Sequence, residues 1–262
     1  RIALVLAAKD EPKVIYDTEP DSSDAYIHFD HVSFSYRKQQ SNAEMENCLS
    51  DIDFTIPKGG TLGIIGPTGC GKTTIINLLM RFYDVNKGVI AVDGTDIRNM
   101  TRASLRSNIG MVLQETWLKD GTIRDNIIMG KPDATEEEII AAAKATHAHS
   151  FIKRLPQGYD TVLTDNGTAI SKGQKQMLTI ARAMLADRRL LILDEATSSI
   201  DTRTEAIVQQ GMDKLMEGRT VFGIAHRLST VMNSDVIMVL DHGRIIERGS
   251  HEKLIAEKGT YY

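Results

Sequence analysis

The sequence predicts a mixed α/β fold: a core of parallel strands, an antiparallel β subdomain and an inserted α-helical subdomain. Three observations predict it. A glycine-rich turn, Gly66–Thr73, joins an apolar strand to a helix-like run. A second apolar strand, Leu190–Leu193, ends in the carboxylates Asp194 and Glu195, at the strand end where open α/β sheets put their ligands. From about Glu115 to Leu185 the pattern is mostly helical.

The elements follow in order. Arg1-Ile2-Ala3-Leu4-Val5-Leu6 is a short apolar, helix-like piece, and residues 9–24 form an acidic, proline-containing stretch that reads as a linker. Apolar residues at Ile27, Phe29, Val32, Phe34 and Tyr36, then at Ile52, Phe54 and Ile56, alternate with polar ones and give half-buried antiparallel strands. Thr61–Ile65 reads as a buried strand and Thr74–Met80 as a helix, one on each side of the glycine-rich turn. Gly88–Asp96 has hairpin character around Asp93-Gly94, and Ile109–Gln114 is a strand ending in a polar residue. Glu136–Lys144 and Gly173–Leu185 read as helices. Val221–Ala225 returns to the core sheet and ends at His226, and residues 236–248 read as a hairpin turning at Asp241-His242-Gly243. The expected organisation is a connection and linker over residues 1–24 and one domain over 25–262, with the helical subdomain at about 115–185. The chain starts at Arg1 rather than Met, as the cut end of a longer chain would.

Composition narrows the function classes. At 262 residues, 42% hydrophobic and 25% charged, the chain can bury a large core. A net charge of −4 gives no electrostatic footprint for nucleic acid, so none is expected as a partner. No apolar run approaches the roughly twenty residues of a membrane-spanning helix. Cys48 and Cys70 supply no disulfide framework and no metal-ligand spacing, which fits a reducing compartment. His147 and His149 lie two apart on a predicted helix, point to different faces and make a poor metal pair; His31, His242 and His251 read as turn or surface residues.

The chemistry is carried by the glycine-rich turn. Gly66-Pro67-Thr68-Gly69-Cys70-Gly71-Lys72-Thr73 fits G-x-x-x-x-G-K-[ST] at every fixed position, a match expected by chance on the order of one per cent of the time in a chain this long. The glycines let the backbone wrap closely around phosphates with its N–H groups turned inward. Lys72 would reach the β and γ oxygens, and the Thr73 hydroxyl would ligate Mg²⁺. This is a nucleoside-triphosphate site, with Thr74 opening the helix behind it. A guanine-specific reading needs Asn-Lys-x-Asp, and Asn86-Lys87-Gly88-Val89 lacks the aspartate.

Side chains alternate along a strand, so Asp194 and Glu195 cannot do the same job. Asp194 would bind Mg²⁺, and Glu195 would orient or deprotonate an attacking water. About twenty residues earlier, Ile170-Ser171-Lys172-Gly173-Gln174 opens a helix. Such a turn is either an ordinary N-cap or a second anion site that offers a hydroxyl and backbone N–H groups at the positive end of the helix dipole.

The P-loop, strand-end Gln114, the Ser-x-Gly-Gln turn, Asp194-Glu195 and strand-end His226 occur here in one order. Over essentially the whole chain that order resembles the ATPase domain of the ATP-binding cassette (ABC) transporters, and among them the exporters. Phe34-Ser35-Tyr36, Gly121-Thr122-Ile123-Arg124-Asp125-Asn126-Ile127 and Ile224-Ala225-His226-Arg227-Leu228-Ser229-Thr230 are each similar to exporter segments. The resemblance implies a P-loop NTPase (RecA-like) core and ATP and Mg²⁺ as cofactors. It implies adenine stacking on Tyr36, Mg²⁺ and water contact by Gln114 and a hydrogen-bonding His226 that holds Glu195 and the γ-phosphate. Ser199-Ile200-Asp201 resembles the loop that crosses to a partner subunit, with Asp201 as its key residue. The implied partners are transmembrane domains of the same transporter and a second nucleotide-binding domain, on the cytoplasmic face of a membrane, the cell inner membrane. The Arg1–Leu6 piece resembles the end of the connection from the last membrane helix. The alternatives are a soluble ABC-type ATPase, or a regulatory module with little turnover of its own.

One departure stands out. The family signature is Leu-Ser-Gly-Gly-Gln, and Lys172 replaces its first glycine here; Asp165-Asn166-Gly167 replaces a common Glu-Arg-Gly. In the family the signature of one subunit, here Ser171, Gly173 and Gln174, closes over ATP on the other subunit's P-loop. A Cβ obstructs the close backbone approach that glycine allows. By that resemblance Lys172 would weaken or reshape one of two paired sites, as in heterodimeric exporters with one competent and one degenerate site; the alternative is a homodimer that tolerates Lys172.

Overall fold

The computed structural model describes residues 25–36, 48–113, 116–194, 202–224 and 231–262. In chain order its strands are β1 (Ala25–Phe34), β2 (Leu49–Pro57), β3 (Thr61–Ile65), β4 (Lys87–Val92), β5 (Thr95–Asp96) and β6 (Ile109–Val112). They continue as β7 (Gly121–Thr122), β8 (Val162–Leu163), β9 (Leu190–Asp194), β10 (Thr220–Ile224), β11 (Val236–Asp241) and β12 (Arg244–Gly249). The helices are α1 (Lys72–Leu79), α2 (Arg102–Ser107), α3 (Ile123–Ile128), α4 (Glu136–Ala145), α5 (Ala148–Ile152), α6 (Lys172–Ala186), α7 (Thr202–Met216) and α8 (His251–Glu257). The chain divides into two units, one of residues up to Lys58, Gly66–Asn108 and Leu240–Ile246, the other of Gly59–Ile65, Ile109–Val239 and Glu247–Tyr262.

In the first unit the alternating apolar residues build an antiparallel sheet of order β2-β1-β4-β5. Ile27, Phe29, Val32 and Phe34 are all buried, yet Phe29 and Val32 are three apart rather than two. A β-bulge resolves the conflict. The β1–β2 register shifts between Phe29 and Val32, and His31 takes a left-handed φ of 46°. One extra residue restores the inward phase for the rest of the strand. Across the pair, Phe29 faces Phe54 with ring centroids 4.5 Å apart, stacked at 15°. The hairpin expected at Asp93-Gly94 joins β4 to β5 through left-handed φ values of 50° and 75°, the pattern of a twist-compatible two-residue turn.

In the second unit β11 (to Val239), β3, β10, β9 and β6 lie side by side in that order and run parallel. Leu190, Leu191, Ile192 and Leu193 of β9 are buried, as a central parallel strand covered on both faces requires. Leu191, Leu193 and Val221 belong to one apolar core with Ile123, Ile127, Ile139, Ala143, Leu178, Ile180, Val208 and Leu215, which ties the helices α3, α4, α6 and α7 to the sheet.

Two local expectations are corrected. The stretch read as mostly helical also holds the β7–β8 ribbon, pairing Gly121 with Leu163 and Thr122 with Val162; two residues per strand are too short to leave an alternation signal. His147 and His149 do not share a helix. His147 is the left-handed N-cap of α5 at φ 60°, and His149 inside α5 places Nδ1 2.8 Å from the Tyr159 hydroxyl. Arg1–Leu6 and the 9–24 stretch lie outside the described residues. Among the described residues no helix is long and apolar enough to cross a membrane.

Phe54→Ala removes one ring of the stacked, fully buried pair. It is expected to cost about 3–5 kcal/mol, read as a fall in the urea midpoint of unfolding. A midpoint within error of the parent would mean that this pair does not hold β1 to β2.

Candidate functional site

The chain leaves β3 at Ile65 and enters the glycine-rich turn. Gly66 has φ 153° and a Cβ there would sit 2.1 Å from the Leu240 carbonyl oxygen, so any side chain would force the turn open. Gly71, at φ 112°, is the N-cap of α1 and provides no side-chain hydrogen bond. The first amides of α1 are therefore left for something outside the helix. Pro67, Thr68, Gly69 and Thr73 are exposed, while Cys70, Lys72 and Thr74 are buried.

Lys72 is the charged member. Only 6% exposed, its ammonium donates to the carbonyl oxygens of Gly66 at 2.6 Å and Pro67 at 2.9 Å, and lies 3.8 Å from the Cys70 sulfur. A buried cation, open helix amides and exposed threonines fit a polyphosphate. Tyr36, just past β1, belongs to the same unit. Its hydroxyl donates to Thr74 Oγ1 at 3.3 Å and accepts from Asn77 Nδ2 at 3.3 Å, which fastens the ring to α1. Phe34 and Tyr83 brace it edge-on at 4.9 and 5.0 Å, leaving it 46% exposed, enough for a flat ligand to stack.

In the second unit Asp194 is the last residue of β9, half-buried and level with Ile224 of β10, which is in turn level with Ile64 of β3. It stands at the carboxyl end of the parallel sheet. Gln114, Glu195, Asp201 and His226 lie outside the described residues.

Ser171 is the N-cap of α6, in a reciprocal capping box. Its hydroxyl accepts from the Gln174 N–H at 3.2 Å, and the Gln174 side-chain oxygen accepts from the Ser171 N–H at 2.9 Å. The Ser171 O–H proton remains available to donate outward. Ser-x-x-Gln is itself the sequence signal for this box. Lys172 is the first helical residue, exposed, with ordinary helical geometry, and Gly173 is buried. The chain by itself therefore accommodates a side chain at 172.

Sequence reasoning also missed what holds the segment after Gln114. Arg182 on α6 donates to the Asn126 carbonyl at 2.8 Å, to Asn126 Oδ1 at 3.1 Å and to the Trp117 carbonyl at 3.3 Å. Burial pulls this guanidinium below its usual range, though it stays charged at neutral pH. Asn126, fully buried, accepts from the Lys119 N–H and donates to the Lys119 and Thr122 carbonyls. Asn166, in a left-handed run with Asp165 and Gly167, accepts from the Leu118 N–H at 2.7 Å. Residues 117–119 are thus bolted to α3, to α6 and to the turn before α6. An arginine or asparagine amid apolar residues carries no periodic signal, so only the fold exposes the role.

The chain carries the family relationship openly. A family model described as "ABC transporter" matches residues 49–198. The ABC transporter ATP-binding protein YfiC of Bacillus subtilis is 57% identical over 235 residues, 90% of this chain and 38% of the relative. A fatty acid ABC transporter ATP-binding/permease protein of Mycobacterium bovis is 49% identical over 97% of this chain and 40% of the relative. An ATP-dependent lipid A-core flippase of Desulfotalea psychrophila is 52% identical over 90% of this chain and 40% of the relative. Among solved structures, a bacterial Atm1-family ABC exporter with ATP bound superposes with TM-score 0.85 at 39% identity, covering 98% of this chain and 44% of that one. The chain belongs to the ABC transporter family and carries its ATP-binding, ATPase domain. It spans about two fifths of the length of the curated relatives it matches.

Arg182→Lys keeps the charge but loses the fork that reaches Asn126 and Trp117 together. A stability loss of about 1–3 kcal/mol is expected in urea unfolding. ATP affinity should be unchanged, since the P-loop contacts are untouched. A weakened ATP affinity at unchanged stability would contradict a bracing role.

Proposed function

We propose that this chain binds and hydrolyses ATP to drive export across a membrane, acting in a pair of such domains attached to transmembrane domains. The observation that carries the reading is the uncapped start of α1 with Lys72 buried beside it, in a chain related to exporters over nearly its whole length. The domain is read as residues 25–262, with the helical subdomain at about 115–185 and residues 1–24 as the connection toward the membrane part. Its place is the cytoplasmic face of a membrane, the cell inner membrane.

The α1 amides and the Lys72 ammonium neutralise the β and γ oxygens, Gly66–Thr74 encloses them, and Tyr36 stacks on adenine. Thr73, Asp194 and Gln114 are the residues that would hold Mg²⁺, which when bound withdraws negative charge from the β and γ oxygens. Glu195 orients and deprotonates the attacking water, and His226 keeps Glu195 and the γ-phosphate in register by hydrogen bonding. Ser171, Gly173 and Gln174 act across the pair, on nucleotide held by the partner's P-loop, and Asp201 reaches toward that partner. Binding closes the pair, hydrolysis releases it, and the attached membrane domains rock between states. Two of the relatives are named for fatty acid and lipid A-core cargo, which favours an amphiphilic substrate.

We read the pair as a heterodimer. This chain gives its own P-loop, Asp194, Glu195 and His226 to a competent site, and its signature, with Lys172 at the first turn of α6, to a weakened one. A homodimer that tolerates Lys172 is the second reading, favoured by the ordinary helical geometry at that residue.

ATP turnover of this chain alone, of Lys172→Gly, and of a mixture with a partner half carrying an intact signature separates the two. Low turnover alone, raised by Lys172→Gly or by the partner, is the expected result. High turnover alone, indifferent to Lys172→Gly, would contradict the heterodimer.

A further inference from the structure

A second group of ligating side chains lies on the antiparallel sheet, and the nucleotide chemistry makes no use of it. His28 and Asp30 on β1 and Asp53 on β2 each bring one ligand atom to within 4.8 Å of the other two. Strand register assembles them. His28 faces Thr55 and Phe29 faces Phe54, so Asp30 and Asp53 come next along the two strands, while Phe29 and Phe54 turn into the core.

The β-bulge adds a fourth group. In an unbroken strand residue 31 would point opposite to Asp30, into the core. The left-handed His31 is instead exposed, with Nδ1 2.7 Å from Asp51 Oδ1 and Nε2 3.6 Å from Asp53 Oδ2. A proton on Nδ1 toward Asp51 leaves Nε2 as a lone pair facing Asp53. That is the arrangement of a metal-binding imidazole oriented by an outer carboxylate. The ion pairs of Asp51 and Asp53 among the described residues are with His31; no lysine or arginine there neutralises these carboxylates or Asp30.

We propose that this face of β1 and β2 binds a divalent transition-metal ion of the zinc type through His28, Asp30, Asp53 and His31 Nε2. Two imidazoles with two carboxylates suit zinc, whereas magnesium and calcium prefer oxygen alone. Bonds of about 2.0–2.2 Å in a tetrahedron place ligand atoms roughly 3.3 Å apart. The 3.6 Å between His31 Nε2 and Asp53 Oδ2 is already close to that, His28, Asp30 and Asp53 have ligand atoms within 4.8 Å of one another, and closing the tetrahedron also requires the exposed His31 ring to turn toward His28. The ion clips β1 to β2 across the bulge, on the strand that leads to Tyr36. The ligands come from two strands at positions 28, 30, 31 and 53, so no local motif announces them.

The test titrates zinc chloride into the untagged, nucleotide-free and magnesium-free protein against a chromophoric chelator. One equivalent is expected to bind, with affinity falling by about tenfold or more in both His28→Asn and Asp53→Asn. Absence of binding to the parent, or zinc held equally by both variants through Cys48, Cys70 or the other histidines, overturns the site. Should a variant fail to fold, diethyl pyrocarbonate labelling of the parent decides. Zinc should protect His28 and His31 and leave His242 reactive; unchanged labelling of His28 and His31 overturns the proposal.

Discussion

A helix that begins without a side-chain cap is the constraint on which the rest depends. α3, α4, α6 and α8 close their own first turns with Thr122, Thr135, Ser171 and Ser250, each accepting a backbone N–H. α1 begins at Gly71, which has nothing to accept with. A glycine cap costs only about a few tenths of a kcal/mol against a serine or aspartate one, and it leaves these amides without a side-chain partner of their own. Lys72 adds a buried cation at the same point. The turn has no freedom to rearrange, since Gly66 lies against the Leu240 carbonyl and the amide of Gly243 donates to the Cys70 carbonyl at 3.0 Å.

Each unit carries further candidate residues of its own. The antiparallel sheet carries Tyr36, held by Thr74 and Asn77 of α1 and braced by Phe34 and Tyr83. The parallel sheet carries Asp194 at the end of a strand buried on both faces, which fixes the carboxylate by packing. The signature helix is anchored differently, by its capping box at one end and by Arg182 three turns along. Lys172 disturbs neither anchor. It is exposed at the start of the helix and leaves the fold alone.

Much of this was legible from residue types at fixed spacing. The glycine-rich turn, the apolar Leu190–Leu193 and the alternation of β2 follow directly from local geometry. The sequence was silent where contacts join distant segments. Arg182 with Asn126 and Trp117, Asn166 with Leu118, and His31 with Asp53 depend on register between elements, and no local pattern encodes them. The bulge at His31 sits between these cases. The three-residue step from Phe29 to Val32 was visible, but only the paired strand turns that step into an outward histidine.

Nucleotide retention after exposure to magnesium and ATP, compared between Glu195→Gln and Lys72→Ala, tests the hydrolytic roles most directly. Glu195→Gln should retain uncleaved ATP in an associated pair while turnover drops by about a hundredfold or more, and Lys72→Ala should retain none. Hydrolysis at the parent rate by Glu195→Gln, or equal retention by Lys72→Ala, would contradict these roles.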